Sequence, residues 1–413
     1  MADFSDAEWR QINDNLTADS VGYGMPVRRT NSVVLASWNI RKFGSLLDSK
    51  RLPSRTEGAW ELIVEFCSKC DFIAIQEVQD SLECLLELRK RLGTKYKVLV
   101  TDIAGGVPGR RSSRERLAFI YNSKRIEKTE MSSDISFERS AVFQQLYENR
   151  EEFAAAFARR EKELAEWTAE NLRRAAIGKR KKSKPPFVLP HFVQFIRTPQ
   201  ITSFEVLARD SAENYQFAAI NAHLLYGDKS KQKVERELEF KALLAWLIAR
   251  SRERERAYAK NMILFGDLNL DFEKVDVRRA AISKFITELN SRQLRGAPAK
   301  VNFPFIDQHP SQADVFRTNA RQNQTYDQIA IFADDDRLPP SSQNSLAGTN
   351  GANGFDFGMF DFVRLFFDTF PAMASKPKRS RYSKFEYDVS DHMPIWIRLP
   401  RPFVGQPEHN WLL

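Results

Sequence analysis

Asp388-Val-Ser-Asp-His-Met-Pro-Ile395 places a carboxylate, Asp391, directly beside an imidazole, His392, and then continues into an apolar run that predicts a strand. Adjacent side chains of an extended segment point to opposite faces, so both groups can serve one site only if the chain bends before the strand. At such a bend an Asp could hold a divalent cation, and the neighbouring His could take a proton from water. A surface turn before a strand would have the same sequence, and the rest of the chain decides between these two interpretations.

Polar side chains also stand at the ends of the other predicted buried strands. We predict such strands over residues 33–40, 71–75, 117–121, 216–220, 262–265 and 325–332. With the first pair included, the polar set is Asn39, Glu77, Glu115, His223, Asp267, Asn269, Asp327, Asp391 and His392. Because the same arrangement recurs along the chain, it favours one shared site.

The ligand chemistry of this set fits a hard cation. Oxygen donors dominate and no Cys joins them, which favours Mg²⁺, Mn²⁺ or Ca²⁺ over zinc. The two His residues and the spare carboxylates allow two imidazoles, each oriented by its own acid. Such a site suits phosphodiester hydrolysis, in which one group activates water, another assists the leaving oxygen and a cation neutralises charge.

Length and composition allow a large folded protein. The 413 residues permit one α/β domain with insertions or two domains, and 42% hydrophobic residues with 31 Phe can build a sizeable core. The net charge of +9 suits a polyanionic partner such as nucleic acid, and it also suits simple solubility.

The cysteines and the N-terminus point to a cytoplasmic location. The chain has only three cysteines, Cys67, Cys70 and Cys84, which is typical of a reducing compartment. The first two have redox-motif spacing, but they end a predicted helix and lack the second pair of a zinc site, so a structural role is favoured. Residues 1–11 do not resemble a signal peptide, and we find no apolar run long enough to span a membrane.

The predicted organisation is an irregular N-terminal arm over 1–31, a catalytic domain over 32–400 and a tail over 401–413. A charged helical insertion over 139–186, which ends in a basic run, interrupts the catalytic domain. Three interpretations of this insertion stay open: a segment packed on its own domain with a solvated face, an arm for a protein partner or self-association, and a basic tip that touches a nucleic-acid backbone.

The remaining local predictions concern helices, one further strand and one loop. Helices are expected over 60–70, from Ser81 onward, and over 234–256 and 278–289, from their apolar spacing. We also expect a strand over 191–197 and a mobile loop over 335–355, which is rich in Asp, Ser, Asn and Gly.

The motifs at the strand ends carry a resemblance to a known family. In chain order they are Ser37-Trp-Asn39, Ile75-Gln-Glu77, Asn221-Ala-His223-Leu, Gly266-Asp-Leu-Asn269, Tyr326-Asp-Gln-Ile and Ser390-Asp-His-Met-Pro394. This ordered set resembles the deoxyribonuclease I-like branch of the endonuclease/exonuclease/phosphatase family, over roughly residues 32–138 and 187–400. The resemblance implies an α/β fold, a four-layered sandwich of two packed mixed β-sheets flanked by helices, here with a helical insertion.

The resemblance also implies roles for individual residues. Glu77 would be the main metal ligand, with Asn39 and Asp391 nearby and Mg²⁺ as the expected cofactor. His392, oriented by Asp327, would take the proton from the attacking water.

The other catalytic residues are implied in the same way. Asp267 and Asn269 would position the water and the phosphate, or hold a second metal. His223 would donate to the phosphate or the leaving oxygen, and Glu115 matches the acid that pairs with this second His in deoxyribonuclease I-like members.

Departures from the family's patterns argue against two of its substrate classes, abasic sites and inositol phosphates. Abasic-site endonucleases carry a Tyr where this chain has His223, and inositol phosphatases carry Asn-Tyr-Arg where it has Asn269-Leu-Asp. The family's Arg followed by Glu-Pro is not clearly present, since Leu189-Pro190-His191 stands in that neighbourhood.

The leading hypothesis is a magnesium-dependent DNA endonuclease. Two basic loops could flank the site and track a backbone, or could simply be solvated; their candidate substrate-binding residues are Arg111, Arg114, Arg116, Arg379, Arg381 and Lys384. The alternatives are hydrolysis of RNA, phospholipid or other phosphodiesters on the same fold, or a catalytically silent binding scaffold.

Overall fold

The structure is a computed structural model that describes residues 4–47, 54–102, 115–137, 139–185, 187, 189–226, 230–253, 258–269, 275–292, 297–307, 316–341, 344–346, 355–373, 375, 382 and 385–404. Its strands are β1 (Ser32–Phe43), β2 (Phe72–Val78), β3 (Tyr96–Val100), β4 (Arg116–Asn122), β5 (Ile126–Asp134), β6 (Gln200–Val206), β7 (Tyr215–His223), β8 (Met262–Asp267), β9 (Lys300–Asn302), β10 (Asp327–Ala333), β11 (Asn344–Leu346), β12 (Phe355–Met359) and β13 (Ile395–Pro400). Its helices are α1 (Asp6–Ala18), α2 (Glu57–Lys69), α3 (Glu83–Leu92), α4 (Arg139–Glu148), α5 (Arg150–Ala176), α6 (Ser230–Arg252), α7 (Val275–Ser291), α8 (Pro304–Asp307) and α9 (Phe362–Thr369).

The strands form two mixed sheets. The first sheet has the order β11-β12-β13-β1-β2-β4-β3, and the second has the order β5-β6-β7-β8-β10-β9. Near the centre of each sheet one parallel pair, β1 with β2 and β7 with β8, is flanked by antiparallel neighbours. The ends of these central strands carry the polar residues that the sequence singled out.

An aromatic layer holds the two sheets together. Phe72 of β2 packs against Phe204 and Phe217 of the second sheet, with ring centroids 5.0 and 5.8 Å apart, and against Phe265 at 5.3 Å. All four rings are fully buried. Because aromatic side chains bury large apolar areas, this layer is a main source of the fold's stability.

Helices cover the outer face of each sheet. Ile73 of β2 shares an apolar cluster with Leu85 and Phe366 from α3 and α9, whereas Ile220 of β7 shares another with Leu243 of α6. Strand β2 therefore buries alternate side chains on both faces, which explains its continuous apolar run. The four layers confirm the predicted α/β sandwich.

The N-terminal segment is not irregular, so this prediction was wrong. Residues 6–18 form α1, and Ser5 caps the helix in a capping box with Glu8. Trp9 is buried and its ring lies 6.0 Å from that of Phe366. The helix is held by packing on α9, which the local sequence pattern does not reveal.

The predicted strand over 191–197 was also wrong, because the described backbone there bends and joins neither sheet. The rings of Phe192 and Phe195 pack against each other at 4.9 Å, and the Ile196 N–H donates to the Glu239 carboxylate at 2.9 Å. Side-chain contacts replace the hydrogen bonds of a strand ladder. In the predicted loop over 335–355, β11 adds a short strand, and part of the loop lies outside the described residues.

The insertion is helical, as the sequence predicts, and consists of α4 and α5 with Asn149 between them. Among the residues described, no helix combines the length and the apolar content needed to cross a lipid bilayer.

A buried polar bridge links the two sheets beside the strand ends. Asn221 of β7 donates to the carbonyls of Ile75 and Ala118 at 3.1 and 3.0 Å and accepts from Gln76 at 2.7 Å. We expect Asn221→Ala to lower the free energy of unfolding by about 1–3 kcal/mol, because buried polar groups lose their partners. Urea denaturation measures this loss.

The matched control is Asn13→Ala, which removes an exposed hydrogen bond to Glu61 and should change stability by less than about 0.5 kcal/mol. Equal stability of the Asn221 variant and the native chain would show that the bridge does not stabilise the sheet packing.

Candidate active site

A polar cavity of about 630 Å³ lies at the strand ends of both sheets. Of the polar residues predicted from the sequence, those that line it are Glu77, His223, Asp267, Asn269, Asp391 and His392. The other three stand behind this lining: Asn39 and Asp327 are fully buried, and Glu115 contacts His223. The structure thus brings all nine predicted catalytic and metal-binding residues together.

The bend that the Asp391-His392 pair requires is present and is fixed by Ser390. The Ser390 hydroxyl donates to the Asn39 carbonyl at 2.7 Å and accepts the N–H groups of Arg41 and His392 at 3.1 Å. Strand β13 begins only at Ile395, so Asp391 and His392 precede the regular alternation and both face the cavity.

His392 and Asp327 form a buried acid–base pair. The His392 Nδ1 lies 2.9 Å from Asp327 Oδ2, while its Nε2 lies 3.7 Å from Asp267 Oδ2. The Asp327 carboxylate is oriented by its place at the start of β10, and the neighbouring Thr318 hydroxyl accepts the Asp327 N–H at 3.1 Å. This arrangement leaves Nε2 as the ring atom available to a reactant.

Asp267 connects both imidazoles. Its Oδ2 lies 3.5 Å from His223 Nε2 and accepts the Asn39 amide at 2.9 Å, and its Oδ1 accepts the Asn269 N–H at 2.9 Å. The two rings therefore converge on one oxygen, Asp267 Oδ2, from which His392 Nε2 lies 3.7 Å away. A reactant near Asp267 would be within reach of both.

His223 is held from behind by an ion pair. Glu115 Oε2 lies 3.4 Å from His223 Nδ1 and 2.6 Å from Arg197 Nε. Arg197 also donates to the Leu224 carbonyl at 3.2 Å, which ties it to the segment after β7. Glu115 thus contacts both the second imidazole and a cation of the cavity wall.

Burial and charge shift the protonation of these groups. At His392 burial opposes the charged ring, but the carboxylates of Asp327 and Asp267 outweigh it and raise the pKa of the ring well above its usual value. Burial raises the pKa of Asp327, whereas the two imidazoles outweigh burial at Asp267 and lower its pKa. The same carboxylates make the ring a stronger base, and a cation bound beside it would lower its pKa again.

Unusual backbone conformations place two of the site residues. Glu77 and Asn269 have positive φ angles of 61° and 50°. Left-handed backbone at residues other than glycine costs of order 1–3 kcal/mol and is concentrated at functional sites. Gly266 precedes Asp267, and a Cβ there would lie 1.9 Å from the Ala222 carbonyl oxygen, so only glycine permits this approach of β7 and β8.

Two oxygens of the predicted metal ligands are buried with no hydrogen-bond partner. Asn39 donates its amide to Asp267 and, at 3.3 Å, to Glu77 Oε1, which leaves its Oδ1 buried with no hydrogen-bond partner. Asp391 Oδ2 is paired with Arg41 at 3.1 Å, and its Oδ1 is likewise buried with no partner. Oxygen ligands of this kind suit Mg²⁺, Mn²⁺ or Ca²⁺, so the residues present fit the predicted metal.

A second group of possible ligands, formed by Asp267, Asp327 and His392, has donor atoms within 4.8 Å of one another. In this group His392 Nδ1 and Asp327 Oδ2 bind each other and Asp267 Oδ2 accepts from Asn39, whereas Asp327 Oδ1 is buried with no hydrogen-bond partner. The described residues thus offer two candidate groups of metal ligands.

Of the six predicted substrate-binding residues, the structure describes one, Arg116. Arg116 donates to the Thr101 carbonyl at 2.9 Å and contacts Asp102 at 3.1 Å, and it does not line the cavity. The other predicted substrate-binding residues, Arg111, Arg114, Arg379, Arg381 and Lys384, lie outside the described residues.

The cavity is also lined by cationic and aromatic residues that the sequence did not single out. Arg41 lies 4.1 Å above the Tyr387 ring and pairs with Asp391, and the Tyr326 ring lies 5.9 Å from that of His392. Arg197 is the most informative omission, since its segment was predicted as a strand. Arg41 could have been found, because it follows the Asn39 motif by two residues.

Similarity to known proteins is found among solved structures. No protein-family model and no curated protein matches the chain. Solved structures similar to it include a humanized D. rerio TDP2 (14% identity, 89% of this chain and 98% of that one, TM-score 0.41), an endonuclease/exonuclease/phosphatase family protein from Bacteroides thetaiotaomicron (14%, 90% and 98%, 0.42) and the human Nocturnin catalytic domain (11%, 90% and 95%, 0.41).

Of these three, the Bacteroides thetaiotaomicron protein is named as a member of the endonuclease/exonuclease/phosphatase family, which is the family that the sequence motifs resemble. The identities are low, so the likeness concerns the fold, while the chemistry depends on the side chains of the cavity.

The ion pair of Glu115 gives a pH-dependent prediction. Burial opposes its ionisation, but His223 and Arg197 outweigh burial and lower the pKa of Glu115. The carboxylate therefore stabilises the fold above the unfolded-chain pKa of about 4.3, and this contribution is lost as the pH falls through the lower folded value.

We expect Glu115→Gln to lose less stability than the native chain when the pH falls below about 4.3. Thermal melts across the acidic range measure the difference, and Glu65→Gln, an exposed pair with Lys69, is the control. Parallel melting curves for the native chain and Glu115→Gln would contradict the ion pair.

Proposed function

We propose that the chain is a divalent-metal-dependent phosphodiester hydrolase, and specifically a magnesium-dependent endonuclease that cleaves DNA. The observation that carries this proposal is the convergence of His392 and His223 on Asp267, each ring backed by its own acid. Two oriented proton-transfer groups beside one reaction centre suit a substitution at phosphorus, in which water enters and an alkoxide leaves.

His392 is the group placed to take the proton from water. Its Nδ1–H donates to Asp327 and fixes the ring, so that Nε2 accepts the proton. Asp267 and Asn269 would orient the water and the phosphate from the floor of the cavity. The Asp327 carboxylate stabilises the imidazolium that results, because an opposite charge 2.9 Å away favours the charged ring.

His223 serves the leaving side. Its Nδ1 faces Glu115, so Nε2 is the atom that can donate to a phosphate oxygen or the leaving oxygen. Arg197 lines the same cavity and can contribute a second positive charge near that oxygen. A divalent cation held by Glu77, Asn39 and Asp391 would supply the charge that stabilises the transition state.

Among the possible phosphodiester substrates, we propose DNA. The net charge of +9 and the Arg residues of the cavity wall suit a phosphate backbone. RNA and phospholipid remain the alternatives for the same chemistry. A silent scaffold is disfavoured because it has no use for two acid-backed imidazoles at one cavity or for the two buried, unpartnered oxygens of Asn39 and Asp391.

A substrate panel tests the proposal. Supercoiled plasmid, linear duplex, single-stranded DNA, RNA and a phospholipid would be offered with Mg²⁺, with Mn²⁺ and with EDTA. Metal-dependent nicking of plasmid supports a DNA endonuclease. Turnover of RNA or lipid alone would support the proposed phosphodiester hydrolysis but contradict DNA as the substrate. Absence of both metal binding and turnover would favour the silent binding scaffold.

The organisation of the chain enters the proposal as well. We propose that the catalytic domain spans 32–400 in the cytoplasm, where an unrestrained nuclease would endanger the host. The insertion over 139–186 would restrain activity, select substrate, or bind a protein partner or a second copy. Unchanged activity, specificity and oligomeric state after its deletion would contradict this role.

A further inference from the structure

The segment 178–185, called here the basic strap, folds back along α5 and is fixed there. The Lys182 carbonyl accepts the Trp167 indole N–H at 3.0 Å and the Asn171 amide at 3.2 Å, and the Lys182 N–H donates to the Asn171 side chain at 2.7 Å. The helix thus binds the backbone of the strap at its centre.

Two arginines of α5 extend this attachment toward both ends. Arg174 donates to the Arg180 carbonyl at 2.7 Å, and Arg160 donates to the Pro185 carbonyl at 2.5 Å. Because the main chain is occupied by α5, the side chains of residues 179–184 are all exposed. The strap is therefore an ordered display of side chains, whereas a loop of the same composition would be free to move.

These side chains form a concentrated positive charge. Residues 179–184 contain five basic side chains and no acidic one, in a chain whose net charge is +9. Lys182 pairs with Glu170 at 3.4 Å, but Lys179, Arg180, Lys181 and Lys184 have no carboxylate within ion-pair distance in the described part of the chain.

The neighbouring helix does not neutralise this charge. Helix α5 carries equal numbers of acidic and basic side chains, and two of its Glu residues pair with its own arginines: Glu151 with Arg150, and Glu170 with Arg173 and Arg174. The strap therefore adds an uncompensated positive surface to a neutral helix. Clustered charge of one sign creates a local potential that attracts ligands of the opposite sign.

We propose that the basic strap is a second binding surface for the phosphate backbone of nucleic acid, separate from the cavity. This proposal rests on the proposed function for the identity of the polyanion. Contacts with phosphates release counterions, so each adds to affinity and to its salt dependence. An ordered strap loses less conformational entropy on binding than a mobile one, and joining two sites in one chain raises their combined affinity for a long ligand.

The test compares two variants with the same charge change. One carries Lys179→Gln, Arg180→Gln, Lys181→Gln and Lys184→Gln. The matched control carries Arg89→Gln, Lys90→Gln, Lys95→Gln and Lys97→Gln, which are exposed residues of α3, β3 and the turn between them. Fluorescence anisotropy with a long duplex, at several salt concentrations and in EDTA on a His392→Ala background, measures binding without turnover.

We expect the strap variant to bind the long duplex at least roughly tenfold more weakly and to lose about three units of the slope of log K against log salt. The control should change affinity by less than roughly threefold, since those residues do not contact the ligand. Equal losses in the two variants would overturn the proposal in favour of a net-charge effect. Unchanged DNA binding with strap-dependent binding to anionic lipid vesicles would overturn it in favour of a membrane surface.

This test is separate from that of the proposed function. If the native chain cleaves DNA but binding does not depend on the strap, the strap proposal is rejected and the proposed function stands. If binding depends on the strap but no substrate is cleaved, the proposed function is rejected and the strap proposal stands.

Discussion

His392→Ala is expected to reduce turnover by roughly 10²–10⁴-fold, the range that a general base contributes. The ring is held by Asp327 at 2.9 Å, and its Nε2 points to the part of the cavity where Asp267 and the second imidazole meet. Alanine removes the proton acceptor and leaves the neighbouring ligand oxygens in place. Initial rates on the substrate that the native chain cleaves measure the loss.

The matched control is His191→Ala, which removes a partly exposed imidazole that pairs with Glu152 on the insertion. It should retain the native rate, because His191 does not line the cavity. The melting temperature and metal affinity of His392→Ala must stay near those of the native chain for the rate to report on proton transfer. If His392→Ala cleaves within a factor of two of the native rate, His392 is not the general base.

Glu77→Gln is expected to weaken binding of the divalent cation and to lower turnover by at least roughly 100-fold. An amide keeps the shape of the side chain but removes its charge, and hard cations prefer carboxylate oxygen. The losses of 10–100-fold known for residues that merely orient metal ligands set the lower bound. Calorimetric titration with Mn²⁺ and rate measurements at rising Mg²⁺ test both parts.

Glu65→Gln on α2 is the control, since Glu65 pairs with Lys69 on the surface. The result also decides between the two groups of candidate ligands. Metal binding that survives Glu77→Gln and disappears in Asp327→Asn would place the cation between Asp267, Asp327 and His392, contrary to our assignment.

Strands with buried faces could be predicted from the sequence because local pattern determines them. The run Phe72-Ile-Ala-Ile75 is apolar on both faces, since one face meets the aromatic layer and the other meets helices. The polar residues at these strand ends could be assigned to one site because parallel neighbours end at the same edge of the sheet. Strands β1 and β2 bring Asn39 and Glu77 together in this way.

Contacts between distant segments could not be predicted. Arg197 reaches Glu115 only because bends and a carboxylate of α6, Glu239, hold its segment away from both sheets. Helix α1 has a readable cap at Ser5, but its place on α9 depends on packing with residues more than 300 positions away. Hydrophobic spacing within a segment contains no information about such partners.

The pKa shifts belong to the same class of long-range effects. Asp327 and His392 are 65 positions apart in the sequence. Burial alone would lower the pKa of the ring, and the pKa is raised because folding brings the carboxylates of Asp327 and Asp267 beside it. The sequence motifs identified the residue types, whereas burial and distance set their protonation.

The most direct test of the central claim is the cleavage of nucleic acid by the native chain and by His392→Ala, each with Mg²⁺ and with EDTA. We predict turnover by the native chain with Mg²⁺, none in EDTA, and at least a hundredfold lower rate for the variant at an unchanged melting temperature. Equal turnover by the native chain and the variant, or turnover that persists in EDTA, would contradict a metal-dependent hydrolase that works through His392 and Asp327.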